Sequence, residues 1–380
     1  MIYFDHAATT PVRPEAAQSA LDVMVNGYGN PSSLYPLGRQ AAERREQDRK
    51  TLARILGCEP GELIFTSCGT EGNNWAIFGA AERGKHRGKH IITTAVEHAA
   101  VLEPMKALER EGYEITRLQP DSRGMISLDD LKAALRPDTI LVSMMLVNNE
   151  LGTIFPIAEA VKIVRQSGAP ALFHCDAVQG FLKVPFTPKK LGVDLLTLSG
   201  HKIGAPKGIG ALYVRKGLLS SWKPMLRGGG QESGFRSGTE PTAQIAAFAT
   251  AAELGAREMD ESVSHMSELK TSLLNQLQER VPEVERLGEG EAPHILCLTL
   301  PGYKSEVLVR VLGDKGICVS AGSACHRGKP SHVYAALPVS KQKKEGAFRV
   351  SFGRENTEEE VTQLVSALRE AVDTLFPSMS

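Results

Sequence analysis

Two nucleophilic side chains stand out because small residues surround them: the amine of Lys202 and the thiol of Cys325. Lys202 ends the sequence SGHK, which follows an apolar run, and a lysine placed there can form an imine with an aldehyde cofactor. Cys325 ends the sequence SAGSAC and is followed at once by basic residues, which favour its reactive thiolate. Taken alone, each could equally be an incidental surface residue.

An aspartate and a turn of small residues would complete a site for an aromatic, phosphorylated cofactor. Asp176 follows the apolar run ALFHC, and a buried carboxylate can keep a pyridine nitrogen protonated so that the ring withdraws electrons. The turn TSCGTEGNN links a strand to a helix, where free N–H groups, the helix dipole and the Thr70 hydroxyl can bind an anion. The structural alternatives are a turn aspartate and an ordinary helix cap.

Three further side chains are suited to substrate binding or proton transfer. His98 follows the run HIITT and can stack on an aromatic ring or carry a proton. Asn149 follows another apolar run and can hydrogen-bond a ring oxygen or a substrate. Arg349, in FRVSFGR, can bind an amino-acid carboxylate through two parallel hydrogen bonds, although an ion pair between domains would explain it equally well. The joint occurrence of all these residues is what favours an active site.

Most of these residues come directly after short apolar runs that alternate with helical patterns. The predicted strands cover 62–67, 90–94, 139–147, 171–175 and 194–199. The helices predicted between them cover 70–82, 99–110 and 157–166. This alternation predicts a mostly parallel sheet covered by helices. Such sheets bind ligands at the carboxyl ends of their strands, where the candidate residues lie.

The chain changes character beyond residue 240. One long helix is predicted over 241–280, because Gly255 is its single internal glycine and it contains no internal proline. The elements predicted after it are strands at 294–300, 316–320 and 348–352 and helices at 305–312 and 357–375. We therefore expect a large cofactor-binding domain over 15–255, and a small domain formed by 1–14 and 256–380 that carries Cys325.

Composition and charge argue against several other classes of protein. The chain has 380 residues, and its 44 basic residues balance 44 acidic ones, so no general positive charge favours nucleic acid or an anionic membrane. No apolar run approaches the roughly 20 residues of a membrane span. Residues 1–11 lack the pattern of a signal peptide, and we expect a cytoplasmic protein. Six cysteines without a C-x-x-C pair argue against a disulfide framework or a zinc site.

Taken in order, the motifs of the whole chain resemble those of the NifS-like cysteine desulfurases, within the class V aminotransferase group of fold-type I pyridoxal-phosphate enzymes. The shared motifs are FDHAATTP, GNPSSLYPLG, TSCGTEGNN, VEHAAV, NNELGTI, DAVQG, SGHK, GGGQESGFRSGTE, SAGSAC and RVSFGREN. The resemblance implies an α/β fold, with a mostly parallel seven-stranded sheet in the large domain and a smaller α+β C-terminal domain. It also implies that L-cysteine is converted to L-alanine, with its sulfur held as an enzyme persulfide.

The resemblance assigns a role to each candidate residue. Lys202 would hold pyridoxal 5′-phosphate and move the proton of the substrate Cα, His98 would stack on the ring, and Cys325 would receive the sulfur. Asp176 would pair with the ring nitrogen and Gln179 would contact the ring hydroxyl. The remaining residues expected at the cofactor are Gly69, Thr70, Asn149, Ser199, His201 and, from the second subunit of a homodimer, Thr239. The residues expected at the substrate are Asn30, Asn149 and Arg349.

Some positions depart from the family pattern and leave the sulfur acceptor open. Cys68 stands where the family usually has glycine, His6 stands where it often has asparagine, and the loop after Cys325 begins with His326 rather than serine or threonine. The expected partner is a sulfur-acceptor protein, in iron–sulfur cluster assembly or tRNA thiolation. Two related activities remain as alternatives, selenocysteine lyase and aminotransferase, and so does a catalytically silent scaffold.

Overall fold

A seven-stranded sheet forms the centre of the larger part of the molecule in the computed structural model, which describes residues 1–322 and 331–377. Its strands are β2 (Leu63–Thr66), β3 (His90–Thr94), β4 (Glu114–Leu118), β5 (Thr139–Ser143), β6 (Leu172–Asp176), β7 (Leu195–Ser199) and β8 (Gly210–Val214). Their spatial order is β2-β8-β7-β6-β5-β3-β4, and only β8 runs antiparallel to its neighbours. The predicted α/β fold with a mostly parallel seven-stranded sheet is confirmed.

Helices cover both faces of this sheet. They are α1 (Pro14–Val25), α2 (Pro36–Leu56), α3 (Gly69–Gly84), α4 (Ala99–Arg110), α5 (Leu128–Ala134), α6 (Ile157–Gln166), α7 (Pro188–Leu191), α8 (Lys216–Leu219) and α9 (Thr242–Arg257). Adjacent strand residues point to opposite faces, so Ile64 and Ile91 pack in one apolar cluster while Phe65 and Ile92 pack in another. Because both faces are buried, the central strands are continuous apolar runs.

A smaller part of the molecule is built around a second apolar core. Two strands, β1 (Ile2–Tyr3) and β11 (Ile317–Cys318), form a parallel pair. Three others form an antiparallel sheet: β9 (Glu285–Arg286), β10 (Ile295–Thr299) and β12 (Ala347–Ser351). Its helices are α10 (Met259–Arg280), α11 (Ser305–Asp314), α12 (His332–Ala336), α13 (Lys341–Glu345) and α14 (Glu358–Thr374). Phe4 packs in this core beside Leu298 and Phe348, and on that basis we propose that 1–14 and 256–380 form the small domain and 15–255 the large one.

Several predicted elements differ from those observed. The helical stretch predicted over 241–280 is observed as two helices, α9 and α10, which are separated at Glu258. The Glu258 carboxylate accepts hydrogen bonds from Arg13 and Arg354. These contacts join distant segments at the break, and Gly255 lies three residues before it in the last turn of α9. The predicted strand 139–147 ends at Ser143, and the sequence reading missed β4, a partly exposed edge strand, and β8. No helix among the described residues is long and apolar enough to span a bilayer.

Candidate active site

The candidate residues meet in a cavity of about 230 Å³ at the carboxyl ends of the sheet strands. Asp176 ends β6, Ser199 ends β7, and His98 and Asn149 follow β3 and β5. The predicted residues that line the cavity are Gly69, Thr70, His98, Asn149, Asp176, Gln179, Ser199, His201, Lys202 and Arg349. This common location follows from the parallel strands, whose carboxyl ends all lie at one edge of the sheet.

Lys202 enters the cavity from a short turn of 3-10 helix that directly follows β7. Its Nζ donates hydrogen bonds of 2.7 Å to the backbone oxygens of both Ala7 and Ala8. The amine is therefore held between the end of the large sheet and the N-terminal segment. Gln179 Nε2 donates to the same Ala7 oxygen at 2.9 Å, so the N-terminal segment orders two candidate side chains.

Asp176 presents a fixed carboxylate to the cavity. Its Oδ2 accepts a 2.6 Å hydrogen bond from Asn73 Nδ2, and its Oδ1 accepts a 3.0 Å bond from the Val178 N–H. The carboxylate is only 6% exposed, so these two bonds set its direction. Sequence reasoning included Asn73 in the motif TSCGTEGNN but gave it no role, and its burial at 1% exposure is seen only in the structure.

The turn before α3 is shaped to receive an anion. Gly69 begins the helix, and the side chain of its N-cap residue, Cys68, makes no capping hydrogen bond to the first turn. A Cβ on Gly69 would lie 2.9 Å from Val178 Cγ2 and 3.5 Å from Ser199 Cβ, so only glycine lets the chain pass this close. The exposed helix-terminal N–H groups and the Thr70 hydroxyl can then face a phosphate.

His201 is held neutral beside this turn. Burial, followed by the charges of Lys202 and Lys207, lowers the pKa of His201 to about 4. Its Nδ1 lies 3.1 Å from Thr9 Oγ1, so the ring is fixed against the N-terminal segment. At neutral pH it can serve as an uncharged hydrogen-bond partner for an anionic ligand.

His98 is both the N-cap of α4 and part of the cavity wall. Its Nδ1 accepts a 3.0 Å hydrogen bond from the Ala100 N–H, so the proton of the neutral ring is on Nε2. The preceding residue, Glu97, is fully buried, and burial raises the pKa of its carboxyl group to about 8. Its Oε1 accepts from the Met145 N–H and from Thr94 Oγ1, so a neutral carboxyl group joins the ends of β3 and β5 beside His98.

Arg349, on β12, lines the cavity from the small antiparallel sheet. One terminal nitrogen of its guanidinium donates to the Asn149 backbone oxygen at 2.6 Å, and the other donates to Asp5 Oδ1 at 2.6 Å. Arg349 is 1% exposed, and its Nε, like the buried Asn149 Oδ1, has no partner among the described residues. These atoms are suited to a small ligand with a carboxylate and an amine. Sequence reasoning did not single out Asp5 as the partner of this arginine.

The other predicted site residues lie elsewhere. Asn30 is exposed and its Oδ1 accepts from the Ser32 N–H at 2.9 Å, outside the cavity. Thr239 is also exposed and lies outside the cavity of its own chain. Cys325 and His326 lie outside the described residues. Of the two other departures from the family pattern, Cys68 lines the cavity, whereas buried His6 packs its ring against Gly353.

Comparison with known proteins places the chain in a family. Residues 2–364 match the class V aminotransferase family. The chain is also 42% identical over 378 residues to a cysteine desulfurase, IscS, of Methanosarcina thermophila, which covers 98% of this chain and 92% of that protein. The chain belongs to the cysteine desulfurases of the class V aminotransferase family. A cysteine desulfurase of a Nostoc species is 40% identical over 379 residues, or 99% of this chain and 94% of that protein.

Solved structures of similar proteins agree with this assignment to the desulfurases. A NifS-like protein is 37% identical, with a TM-score of 0.92 over 98% of this chain and 100% of that one. SspA, solved in complex with cysteine, is 33% identical, with a TM-score of 0.79 over 94% of this chain and 100% of that one. The family and the fold expected from the motifs are both confirmed.

Proposed function

We propose that this desulfurase takes sulfur from L-cysteine bound between Lys202 and Arg349 and transfers it to Cys325, leaving L-alanine. The observation that carries the proposal is that an amine, a fixed carboxylate and a buried guanidinium line one cavity. The guanidinium suits the carboxylate of an amino acid, and the Lys202 amine is the group to which an aldehyde cofactor that reacts with amino groups would be attached.

The residues present fit pyridoxal 5′-phosphate. The turn at Gly69 and Thr70, with Ser199 and neutral His201, would hold the phosphate, and Asp176 would face the ring nitrogen. Lys202 would be the point of covalent attachment. When bound, the protonated ring supplies a sink for the electrons released at the substrate Cα. His98 would cover one face of the ring, and Gln179 and Asn149 would contact its polar edge.

The chain's own groups then account for the remaining steps. Arg349 and Asn149 would bind the substrate carboxylate and so orient the Cα–H bond towards Lys202, whose amine moves the proton. The Cys325 thiolate would attack the substrate sulfur, the bond from that sulfur to Cβ would break, and Cβ would take a proton. L-Cysteine and one thiol thus give L-alanine and one persulfide, with no external oxidant or reductant.

The wider setting follows from the same proposal. A persulfide on Cys325 requires a sulfur-acceptor protein, and iron–sulfur cluster assembly or tRNA thiolation in the cytoplasm are the proposed destinations.

We also propose a homodimer, in which exposed Thr239 of one subunit reaches the phosphate end of the other subunit's cavity, and in which Asn30 lies near the bound substrate. An aminotransferase would use Lys202 and Arg349 equally well but would have no need of Cys325.

The proposal is tested by incubating the cofactor-loaded enzyme with L-cysteine and mapping persulfide by mass spectrometry. We expect the extra sulfur on Cys325, and alanine formation lost in Cys325→Ala but retained in the control Cys58→Ala. Undiminished sulfide and alanine formation by Cys325→Ala, or persulfide found only on Cys68, would overturn the role of Cys325. Selenocysteine processed far faster than cysteine would favour the lyase.

A further inference from the structure

Glu150 is the residue next to Asn149, which lines the cavity together with Arg349, but Glu150 itself is not part of the cavity lining. It follows Asn149, whose backbone oxygen holds the Arg349 guanidinium, and its own side chain is fully buried. The Asn148 side chain fixes the local backbone by accepting from the Glu150 and Leu151 N–H groups at 2.9 and 2.8 Å. The carboxylate of Glu150 thus sits on a rigid turn, one residue away from the proposed substrate clamp.

The chain that resumes after the Cys325 segment is bonded to this carboxylate. The Ser331 hydroxyl donates to Glu150 Oε2 at 2.5 Å, and its oxygen accepts the Val333 and Tyr334 N–H groups at 3.1 and 3.4 Å. The hydroxyl therefore caps α12 and, in addition, ties the helix to the large sheet. Ser340 caps α13 in a similar way by accepting from the Lys343 N–H, but it is exposed, whereas Ser331 is buried.

The chain that leads into the Cys325 segment reaches the same carboxylate. Ser320 and Arg349 exchange two backbone hydrogen bonds, of 3.1 and 2.6 Å. Two residues later, Gly322 has a φ of +129°, and a Cβ there would lie 3.3 Å from Glu150 Oε2 and 3.2 Å from Ser331 Cβ. One flank of the segment is therefore hydrogen-bonded to Glu150 through Ser331, and the other passes close to the same carboxylate at Gly322.

We propose that Glu150 is a positioning residue that holds both flanks of the Cys325 segment against the substrate clamp. Cys325 is three residues from Gly322 in sequence, a length of chain of at most about 11 Å, so the point at which the flanks are fixed limits where the thiol can be delivered. The dipeptide Asn149–Glu150 thereby links the substrate-binding arginine to the thiol that receives the sulfur. The Asn149 carbonyl orders Arg349, and the Glu150 carboxylate orders the flanks of the Cys325 segment. This inference rests on the proposed role of Cys325.

The test separates substrate binding from sulfur transfer in the cofactor-loaded enzyme. The absorbance change on adding L-cysteine reports binding at the cofactor, and single-turnover mass spectrometry reports persulfide on Cys325. For Glu150→Ala and Ser331→Ala we expect the absorbance change to stay within about twofold of the wild type, whereas persulfide formation slows by about tenfold or more. Glu150→Gln keeps an oxygen that accepts from Ser331 and should stay within about threefold.

Further variants distinguish positioning from general damage. Ser340→Ala removes a comparable helix cap and should form persulfide at the wild-type rate. Glu150→Ala combined with Ser331→Ala should be no slower than the slower single variant, because both remove one interaction. Two results would overturn the inference. One is that Ser331→Ala loses the absorbance change and persulfide formation to the same degree. The other is that persulfide formation is unchanged in both single variants. A wild-type enzyme that forms no persulfide on Cys325 would instead overturn the proposed function.

Discussion

The two ends of the cavity are built in different ways. At the cofactor end, Gly69, Asp176 and Lys202 all lie at or directly after strands of one sheet, so the sheet itself fixes their spacing. At the substrate end, Arg349 comes from the small antiparallel sheet and is held by Asp5 and by Asn149 from two other segments. The first end takes its spacing mainly from one sheet, although the N-terminal segment also holds Lys202. The second end is formed by residues of three distant segments.

This difference predicts that the two ends fail differently. A change at the cofactor end should impair cofactor attachment or chemistry while leaving the packing of the two cores intact. A change at the substrate end should impair substrate binding and also the contact between the cores, because its residues are part of that contact. The following variants test this contrast, in order of decreasing effect on activity.

The largest loss is expected for Lys202→Ala. Without the amine, the cofactor has no point of covalent attachment and the Cα proton has no acceptor, so alanine formation should fall by roughly 1000-fold or more. The absorbance band of lysine-bound cofactor should be absent, while the unfolding temperature of the cofactor-free protein stays near the wild-type value. Exposed Lys207 provides the control, since Lys207→Ala should keep the band and the activity.

A smaller but more complex loss is expected for Arg349→Ala at the substrate end. Loss of the charged hydrogen bonds to substrate should lower kcat/KM by about 100-fold, mainly through KM. Asp5 would also lose its ion-pair partner, and because this pair is only partly buried the destabilisation should be below the roughly 3–5 kcal/mol of a fully buried pair. Arg349→Lys should not restore the activity, because an ammonium cannot make the same forked contacts.

Steady-state kinetics and thermal unfolding check this prediction, with the exposed ion-pair residue Arg369 changed to Gln as the control. If Arg349→Ala lost affinity for the cofactor but kept its KM for cysteine, the division of the cavity into two ends would be wrong.

Gly69→Ala should weaken cofactor binding and spare the substrate end. The new methyl would meet Val178 Cγ2 at 2.9 Å, and overpacking of this kind costs about 1–3 kcal/mol, or roughly tenfold in cofactor affinity. Gly61→Ala is a matched control because nothing lies within 4 Å of the added methyl. Titration of the cofactor-free proteins with pyridoxal 5′-phosphate measures the cofactor affinity of each variant. Equal affinities for Gly69→Ala and Gly61→Ala would count against an anion site at this turn.

The smallest effect on activity is expected for Glu97→Gln, which tests the neutral carboxyl group beside His98. Burial raises the pKa of Glu97 from an ordinary 4.5 to about 8, so the wild-type fold favours the protonated form. Its contribution to stability is complete below about pH 4.5 and is lost as the pH rises towards 8. Relative to the wild type, Glu97→Gln should gain stability across this range, by at most about 1.4 kcal/mol per pH unit.

Thermal unfolding of both proteins between pH 5 and pH 9 measures this difference. A constant gap between the two curves would show that Glu97 is ionised in the folded protein at all these pH values.

The same contrast explains what could be predicted from the sequence. Asp176 and Lys202 were predictable because each ends a visible apolar run, and a parallel sheet brings such ends together. The contacts of Arg349 with Asp5 and Asn149 were not predictable, since they join residues 344 and 200 positions apart. The break at Glu258 was also missed, and at this residue ion pairs join the helices to Arg13 and Arg354, which are distant in sequence. The local sequence pattern identifies where strands end, whereas the packing between distant segments is seen only in the structure.

The central claim is that both ends of the cavity act on one molecule of cysteine. A crystal structure of the cofactor-loaded Cys325→Ser variant soaked with L-cysteine tests it directly. We expect the substrate carboxylate within hydrogen-bonding distance of Arg349 Nε and the substrate Cα beside Lys202 Nζ. A cysteine bound with its carboxylate away from Arg349, or a cofactor held without contact to Asp176 and the turn at Gly69, would contradict the account.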